Sequence, residues 1–329
     1  MKFPKTQDII VSVVEEGDAC ANIIELLSNP NEELQVVSIM FSIALLPFFG
    51  NMLADRLCKR RGQPQALLKE LLETTAPTEK QAVSVSFLAK LPHENLTLNL
   101  ALLNSVPLVL RKLDQVQRSG ARMSKYGNIY LEGLVGILVR FTSTLHDNQF
   151  LVLARTFSFT TVFTELLMNT FSDEIQKLSA NGLENLSSKT VTLSKPPQIK
   201  KLKFKKFYLQ KCFSFDQRNL EITPPCPVHK GACSSQETFC LVEAKAVEKL
   251  LTCFDHHNIQ VVEAALSAIC TLLDDGINLD RSKLLMEGDV DSTSEISQDR
   301  FLRATLINVL HYGNGDIRLM AEKILRHLV

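Results

Sequence analysis

One short pattern recurs along the chain and restricts its fold more than any other feature. An apolar pair, Leu-Leu in four copies and Val-Leu in the fifth, ends an amphipathic segment. A polar residue follows the second member of the pair after eight or nine positions, early in the next amphipathic segment. The second leucine and the polar residue of the five copies are Leu27 and Gln35, Leu72 and Gln81, Leu167 and Gln176, Leu251 and Gln260, and Leu310 and Arg318. A connector of nearly constant length predicts one helix hairpin used repeatedly.

The distance between copies indicates the type of repeat. The second helices are expected to begin near residues 32, 78, 172, 258 and 316, with a less regular unit at about 95–145 between the second and third of them. This period in the forties is typical of armadillo or HEAT repeats and is too long for tetratricopeptide or ankyrin units. Because strand signals are nearly absent, we predict an all-α fold, an armadillo/HEAT-like right-handed helical solenoid.

Composition restricts the cellular setting. The chain carries 36 Lys plus Arg and 36 Asp plus Glu, so no overall field attracts nucleic acid or membrane. The apolar run Ile9 to Val14 is too short for a secretory signal, and no uninterrupted apolar stretch approaches the roughly twenty residues that span a bilayer. Without a signal, the eight cysteines are better interpreted as reduced thiols. We therefore expect a cytoplasmic protein.

A basic insert at 189–238 separates repeats at 1–188 from repeats at 239–329, the last of them shortened. No acidic residue occurs from Asn185 to Phe215, and lysines alternate there with apolar side chains. The lysines expected to contact an anionic membrane surface are Lys200, Lys201, Lys203, Lys205 and Lys206. Near an anionic leaflet each contributes about 1 kcal/mol. A solvated loop is the alternative, and nucleic acid is not expected because no other basic stripe occurs.

Four residues able to bind zinc follow these lysines. They are Cys226, His229, Cys233 and Cys240. Thiolates and an imidazole at short spacing suit a tetrahedral zinc site, which would hold a loop without a core in one shape. The spacing fits no standard zinc finger, however, so a loop with reduced cysteines is the alternative interpretation. No other cofactor is predicted.

The search for catalytic chemistry gives no candidate residue. The chain contains no G-x-x-x-x-G-K-[ST], H-E-x-x-H or G-x-S-x-G motif. His256 and His257 are interpreted as an exposed turn between helices in preference to a metal site. The basic cluster at 56–61 is interpreted as a solvated face in preference to a nuclear import signal.

Partner binding must therefore come from the architecture. In armadillo arrays the last helix of each unit lines a concave groove, which places candidate contacts on the segments 32–46, 78–91, 172–188 and 258–273. Asn185 stands where armadillo proteins often carry a peptide-binding asparagine. No other unit has one in such a setting, so we expect a partner with a folded or helical surface in this groove.

Four segments carry a resemblance to a known family. Residues 54–104, 130–155, 182–200 and 226–253 resemble the armadillo-repeat region of plant U-box E3 ubiquitin ligases, including its irregular connectors. The resemblance implies an array that binds proteins, receives ubiquitination substrates and, in some members, associates with the plasma membrane. It also implies a further helix pair between Leu273 and Phe301, for which the space is too short, so the last hairpin is expected to dock imperfectly.

The U-box itself, which recruits the ubiquitin-conjugating enzyme in that family, has no counterpart in this sequence. Its Cys-Pro opening, Asp-Pro-Val core and Gly-His-Thr stretch do not occur in that order, and the chain has no Trp. We therefore predict a non-catalytic protein-binding scaffold that acts in protein ubiquitination. The alternative is an adaptor that the lysines hold peripherally at the plasma membrane, independently of ubiquitin.

Overall fold

A computed structural model describes most of the two blocks of repeats. The described residues are 18–60, 63–72, 77–118, 124–143, 152–154, 156–168, 172–193, 245–274 and 292–327. The lysines at 200–206 and the ligands Cys226, His229, Cys233 and Cys240 lie outside them. The membrane contact and the zinc site therefore stay predictions.

Within these ranges the chain forms helices and turns, and no strand occurs. The helices are α1 (Ala19–Leu26), α2 (Glu32–Lys59), α3 (Gln63–Leu72), α4 (Glu79–Lys90), α5 (Leu96–Leu102), α6 (Val106–Arg118), α7 (Gly127–Thr142), α8 (Phe159–Met168), α9 (Asp173–Leu193), α10 (Ala246–Thr252), α11 (Ile259–Asp274), α12 (Ser292–Tyr312) and α13 (Gly315–His327). The predicted all-α class is confirmed. The expected starts of the second helices are also confirmed, to within one residue.

Polar residues just before the second helices explain where these helices begin. The Asn31 side chain accepts a hydrogen bond from the backbone N–H of Leu34 at 3.1 Å. Thr78 and Gln81 form a capping box, in which each side chain accepts a hydrogen bond from the other residue's backbone N–H. Such caps satisfy the free N–H groups of the first helical turn and stabilise a helix by about 1 kcal/mol each.

The repeated glutamine lies in the first turn of these helices, but its contacts differ between copies. The Gln35 side-chain amide donates to the carbonyl of Asn29 at 2.5 Å, and that of Gln176 donates to the carbonyl of Leu167 at 3.2 Å. Both contacts lead back to the end of the preceding helix or its connector. Gln81 instead closes a capping box. The common spacing therefore reflects a shared need to satisfy backbone groups in the hairpin turn.

The hairpins stack into two rows of helices. The second helices, called inner helices here, are α2, α4, α7, α9, α11 and α13, and each packs against the next one in this order. The outer helices α1, α3, α6, α8, α10 and α12 each pack on the inner helix of their own hairpin. One hairpin cannot bury both faces alone, so a single apolar core runs along the stack, as in other solenoid proteins.

Two glycines of α7 allow it to approach α4 closely. A Cβ atom at Gly133 would lie 2.6 Å from Cγ1 of Val85 and 2.9 Å from the backbone nitrogen of Ser86. A Cβ atom at Gly136 would lie 2.8 Å from the Cβ of Ala89. Only residues without a side chain fit these two positions, so the distance between α4 and α7 depends on glycine.

Arg140 of α7 joins this helix to the end of α4. Its side chain is fully buried. The guanidinium donates to the carbonyls of Pro92 at 2.8 Å and Leu88 at 3.1 Å, to the carbonyl of Leu91, and to Oδ1 of Asn99 at 3.0 Å. Burial lowers the pKa of Arg140 to about 10, which leaves the group charged at neutral pH. The arginine thus satisfies carbonyls that the end of α4 leaves unpaired.

The two units on either side of the insert pack directly against each other. The Asn258 side chain donates to Oδ2 of Asp173 at 2.9 Å, where the N-terminal ends of α9 and α11 meet. Further along the same pair of helices, Ser267 Oγ donates to Glu184 Oε1 at 2.6 Å. The described helices on either side of the insert therefore form a continuous stack. Helix α9 continues to Leu193, past the predicted boundary at 188.

Deletion of residues 200–238 is expected to leave the fold intact. The six residues remaining on each side of the deletion reach about 40 Å when extended, which is ample to connect neighbouring hairpins. The far-ultraviolet circular dichroism per helical residue and the thermal unfolding midpoint should match those of the full chain. Loss of cooperative unfolding in the shortened chain would mean that the insert supports the stack.

The last hairpin packs on the stack through α13, and the expected imperfect docking stays a prediction. Helix α13 packs against α11, and its apolar residues Ile317, Ala321 and Ile324 are buried. The Sγ of Cys270 on α11 lies 3.6 Å from the carbonyl of Met320, within hydrogen-bonding distance.

Helix α2 is longer than the predicted segment 32–46. It continues through Pro47 to Lys59, with non-helical backbone angles at Phe49, where φ is −125° and ψ is 16°. Proline removes one backbone hydrogen bond, which explains a bend at this place. By length and apolar composition alone, α2 and the stretch Leu96–Arg118 could cross a membrane, a property the sequence prediction missed. Both also pack in the stack.

Candidate partner-binding groove

The inner helices α4, α7 and α9 enclose a cleft of about 600 Å³, called the inner groove here. Its lining includes Gly133 and Gly136, the two glycines of α7 that pack closely against α4. Its lining residues are Ser86, Ala89, Lys90, His93, Ile129, Glu132, Gly133, Gly136, Glu174 and Leu178. The close approach of α7 to α4 therefore has a second effect, because it shapes a concave surface.

The walls of the inner groove carry both signs of charge. Glu132 is half-buried and accepts a hydrogen bond from Ser172 Oγ at 2.8 Å. Burial raises the pKa of this carboxyl group above its usual value. Glu174 pairs with Lys177 on the same helix at 2.5 Å. Glu132 is thus a poorly hydrated carboxylate in a cleft, and a cationic group from a partner would improve its environment.

His93 lies at the end of the inner groove next to Arg140. Burial lowers the pKa of its imidazole, and the positive charge of Arg140 lowers it further. A histidine with a lowered pKa is neutral at physiological pH. The groove therefore offers a neutral imidazole, a carboxylate, a lysine and the apolar side chains of Ile129 and Leu178. This mixture suits recognition of a protein segment.

Asn185 contributes to the contact between α9 and α7. Its side-chain amide donates a hydrogen bond to Oγ1 of Thr142 at 2.9 Å, and Thr142 in turn donates to the carbonyl of Val139 at 2.6 Å. The residue is half-buried. The side-chain amide of Asn185 thus makes at least one hydrogen bond within the stack. A contact between Asn185 and a partner stays a prediction.

The turn before α11 contains a group that resembles a metal site. Ligand atoms of Asp173, His256 and His257 lie within 4.8 Å of one another. However, the backbone N–H of Asn258 donates to Nδ1 of His256 at 3.0 Å, so the proton of a neutral ring is on Nε2, the atom that faces Asp173. A protonated nitrogen cannot bind a metal. The contacts favour the interpretation as a turn.

Asp173 is instead an acceptor that holds two units together. It accepts hydrogen bonds from Asn258 and lies 3.1 Å from Nε2 of His257. The hydrogen bond from Asn258 lowers the pKa of Asp173 most, and the two histidines lower it further. The carboxylate therefore remains charged at neutral pH and links the N-terminal ends of α9 and α11.

The four cysteines among the described residues lie in the core or pack against it. Cys20, Cys253 and Cys270 are buried free thiols, and Cys58 is half-buried. Burial raises the pKa of Cys253 to about 11 and also raises the pKa values of Cys20 and Cys58. A thiol with a raised pKa is a poor nucleophile at neutral pH. These cysteines act as small apolar side chains in the core.

The basic cluster at 56–61 is largely engaged within the fold. Arg56 forms an ion pair with Asp18 at 2.9 Å, and Arg60 forms one with Glu25 at 3.5 Å. Both pairs join the end of α2 to the first helix, since Asp18 directly precedes α1 and Glu25 lies within it. Arg56 and Arg60 thus help to hold the first hairpin together.

Sequence reasoning missed the central wall of the inner groove. The predicted groove segments omitted α7, because its unit lacks the leucine pair and the glutamine of the other copies. The structure places Ile129 and Glu132 of this helix in the middle of the lining. The available signal was the position of Tyr130 and Leu131 at the start of a second helix, which already made α7 an inner helix by analogy.

Comparisons with known proteins agree with this architecture. No family model matches the chain. It is 46% identical to U-box domain-containing protein 42 of Arabidopsis thaliana, in an alignment that spans 99% of the chain and 35% of the relative. It is 30% identical to U-box domain-containing protein 44 of the same plant, over 99% of the chain and 45% of the relative. The chain thus spans less than half the length of these relatives.

Solved structures that share this fold include two designed armadillo repeat proteins. A designed armadillo repeat protein aligns over 94% of the chain and 99% of its own length, with a TM-score of 0.53 and 14% sequence identity. Another designed armadillo repeat protein, solved in complex with the peptide (KR)4, aligns over 94% of the chain and 99% of its own length, with a TM-score of 0.51 and 13% identity. The fold is therefore an all-α armadillo solenoid.

Proposed function

Because its homologues are plant U-box domain-containing proteins and its fold is an armadillo solenoid, we propose that this chain is a protein-binding scaffold that selects partners for ubiquitination. The inner groove is the site of this selection. The observation that carries the proposal is the concave cleft of about 600 Å³ between three consecutive inner helices, with apolar, neutral polar and charged groups side by side. Protein ligands commonly bind armadillo solenoids along such extended concave surfaces.

The chemistry of the groove indicates what kind of partner segment fits. Ile129 and Leu178 offer an apolar contact within the cleft of about 600 Å³, which has room for a large apolar side chain of a partner. Glu132 lies beside this contact and has a raised pKa because it is partly buried. A segment with an apolar anchor followed by Lys or Arg would bury the anchor and pair its charge with Glu132. The designed neighbour's complex with a (KR)4 peptide supports a cationic component.

Catalysis is proposed to lie elsewhere in the working ligase. Of the groove residues, His93 and Glu132 have shifted pKa values that follow mainly from burial. The hydroxyl that contacts Glu132 belongs to Ser172, which also accepts a hydrogen bond from the backbone N–H of Ile175 and so caps α9. In this proposal the chain supplies specificity, and a U-box supplies the recruited ubiquitin-conjugating enzyme. The chain alone should therefore form no ubiquitin conjugates when mixed with activating enzyme, conjugating enzyme, ubiquitin and ATP.

Substitution of Ile129 by arginine is expected to remove partner selection without unfolding the chain. Ile129 is 43% exposed in the groove, so a long charged side chain can be accommodated in water while it blocks the cleft. The matched control is Leu108→Arg, at a residue that is 40% exposed on the outer helix α6. Both changes add the same charge to a similarly exposed apolar position.

The measurement uses a chimaera in which this chain replaces the matching region of Arabidopsis U-box domain-containing protein 42. Ubiquitin-remnant proteomics would compare the proteins modified by the parent chimaera and by the two variants. A set of conjugates lost with Ile129→Arg and kept with Leu108→Arg would support selection by the inner groove. Identical conjugates from all three proteins would contradict it.

The role as an adaptor at the plasma membrane rests on lysines outside the described residues. The chain without residues 200–238 tests it directly. The full chain should float with vesicles of phosphatidylcholine and phosphatidylserine, and the shortened chain should not. Equal flotation of both proteins would exclude the insert as the anchor.

A further inference from the structure

Two titratable side chains from different parts of the fold line the inner groove. Glu132 lies on α7, and His93 lies in the turn between α4 and α5. Both are half-buried and belong to the lining of the same cleft of about 600 Å³. Charges interact more strongly beside a partly buried cleft than in open water. A change in the charge of either group therefore changes what the groove can bind.

The surroundings of Glu132 make its carboxyl group easier to protonate than an exposed one. Burial raises its pKa above the ordinary value of 4.5, and the negative charge of Glu174 on α9 also raises it. The hydrogen bond from Ser172 and the positive charges of Lys90 and Lys177 act in the opposite direction. Because burial has the largest effect, Glu132 takes up a proton at a higher pH than an exposed glutamate does.

The surroundings of His93 keep its imidazole neutral over a wider range of pH than that of an exposed histidine. Burial lowers its pKa below the ordinary value of 6.5, and the positive charge of Arg140 on α7 lowers it further. A hydrogen bond to the backbone of Ala89 and the negative charge of Glu94 oppose this shift without reversing it. His93 therefore gains its positive charge only on stronger acidification.

The two pKa shifts have opposite signs, so the titrations of Glu132 and His93 move toward each other from 4.5 and 6.5. We propose that the inner groove holds a cationic partner segment at neutral pH and releases it on acidification, when Glu132 and His93 each take up one proton. Glu132 then no longer pairs with a Lys or Arg of the partner, and His93 adds a positive charge that repels it. This inference rests on the proposed function and adds a form of regulation to the same site.

The other charges around Glu132 favour release in the same direction. At neutral pH Glu132 and Glu174 face Lys90 and Lys177, and neutralisation of Glu132 leaves the two lysines in excess. The partner binds the deprotonated forms of Glu132 and His93. Affinity is therefore complete above both pKa values and is lost as the pH falls through them. By proton linkage, the slope of the logarithm of the dissociation constant against pH gives the number of protons taken up on release.

Fluorescence anisotropy of a labelled, N-acetylated (KR)4 peptide with the full chain tests the proposal between about pH 8 and about pH 5. Lys and Arg keep their charge over this range, so any pH dependence comes from the chain. The dissociation constant should rise at least about tenfold toward the acid end, with a limiting slope greater than one proton. Glu132→Gln and His93→Gln should each reduce the slope to one proton or less. At acid pH, His93→Gln should bind the peptide more tightly than the unmodified chain.

The matched control is Glu263→Gln, at an exposed glutamate of α11 outside the groove lining, and it should keep the full pH dependence. Circular dichroism of the chain should stay unchanged over the same range, and a parallel loss of helix would overturn the proposal because unfolding would then explain release. Equal affinity at every pH would overturn it as well and would leave the proposed function standing. Failure of the peptide to bind at any pH would overturn both the release and the cationic partner segment.

Discussion

Replacing Arg140 by methionine is expected to lower the free energy of unfolding by about 3–5 kcal/mol. Methionine fills much of the same volume but donates no hydrogen bond. The carbonyls of Leu88, Leu91 and Pro92 and the side-chain oxygen of Asn99 would then lose their donor in a buried setting. Each unsatisfied buried acceptor costs about 1–3 kcal/mol, and solvent entering the loosened end of α4 would recover part of the loss.

Urea unfolding followed by circular dichroism measures this change, and native-state hydrogen exchange localises it. Exchange should accelerate most at the end of α4 and the start of α5, because these segments contain the orphaned acceptors. The matched control is Arg111→Met, at an exposed arginine on α6, which should change stability by less than about 0.5 kcal/mol. Arg140→Lys should fall in between, since lysine keeps the charge but cannot reach all four acceptors. A stable Arg140→Met variant would mean that the guanidinium is dispensable.

The contacts of Arg140 also show which part of the fold sequence reasoning can reach. Helix starts such as those after Asn31 and Thr78 depend on residues within four positions, so local pattern predicted them. The acceptors of Arg140 lie 41 to 52 residues away. An arginine within the apolar run of α7 was visible in the sequence, but nothing local indicates which carbonyls it meets.

The inner groove was only partly predictable for a related reason. The repeat pattern correctly indicated that second helices line a concave face, which includes Ser86, Glu174 and Leu178. It omitted α7, because the third unit has different connectors. The prediction for Asn185 relied on its position alone. Its hydrogen bond to Thr142 depends on how α9 rests on α7, which is a property of the packed stack.

The exposure of Leu34, Phe41 and Phe48 on α2 was hidden for the opposite reason. In sequence, Leu34, Phe41 and Phe48 look like the core residues of every other inner helix. Periodicity assigns a face to a helix but does not say whether another helix covers that face. Only the position of α2 at the end of the described stack distinguishes them.

Substitution of Gly133 by alanine is expected to destabilise the chain by about 1–3 kcal/mol, although alanine favours helix by about 1 kcal/mol. The added Cβ would lie 2.6 Å from Cγ1 of Val85 and 2.9 Å from both the carbonyl carbon of Val85 and the nitrogen of Ser86. Two of these three atoms belong to the backbone of α4. A side chain can rotate away, but a helix backbone moves only as a unit, so α7 and α4 must separate and the core between them loosens.

Gly315→Ala is the matched control for this prediction. Gly315 is the first residue of α13, and a Cβ atom there meets nothing within 4 Å. The same chemical change should therefore leave stability unchanged or raise it slightly through the reduced entropy of the unfolded chain. The difference between the two variants in urea unfolding isolates the steric effect from helix propensity. If Gly133→Ala proved as stable as Gly315→Ala, this result would contradict the close packing of α7 on α4.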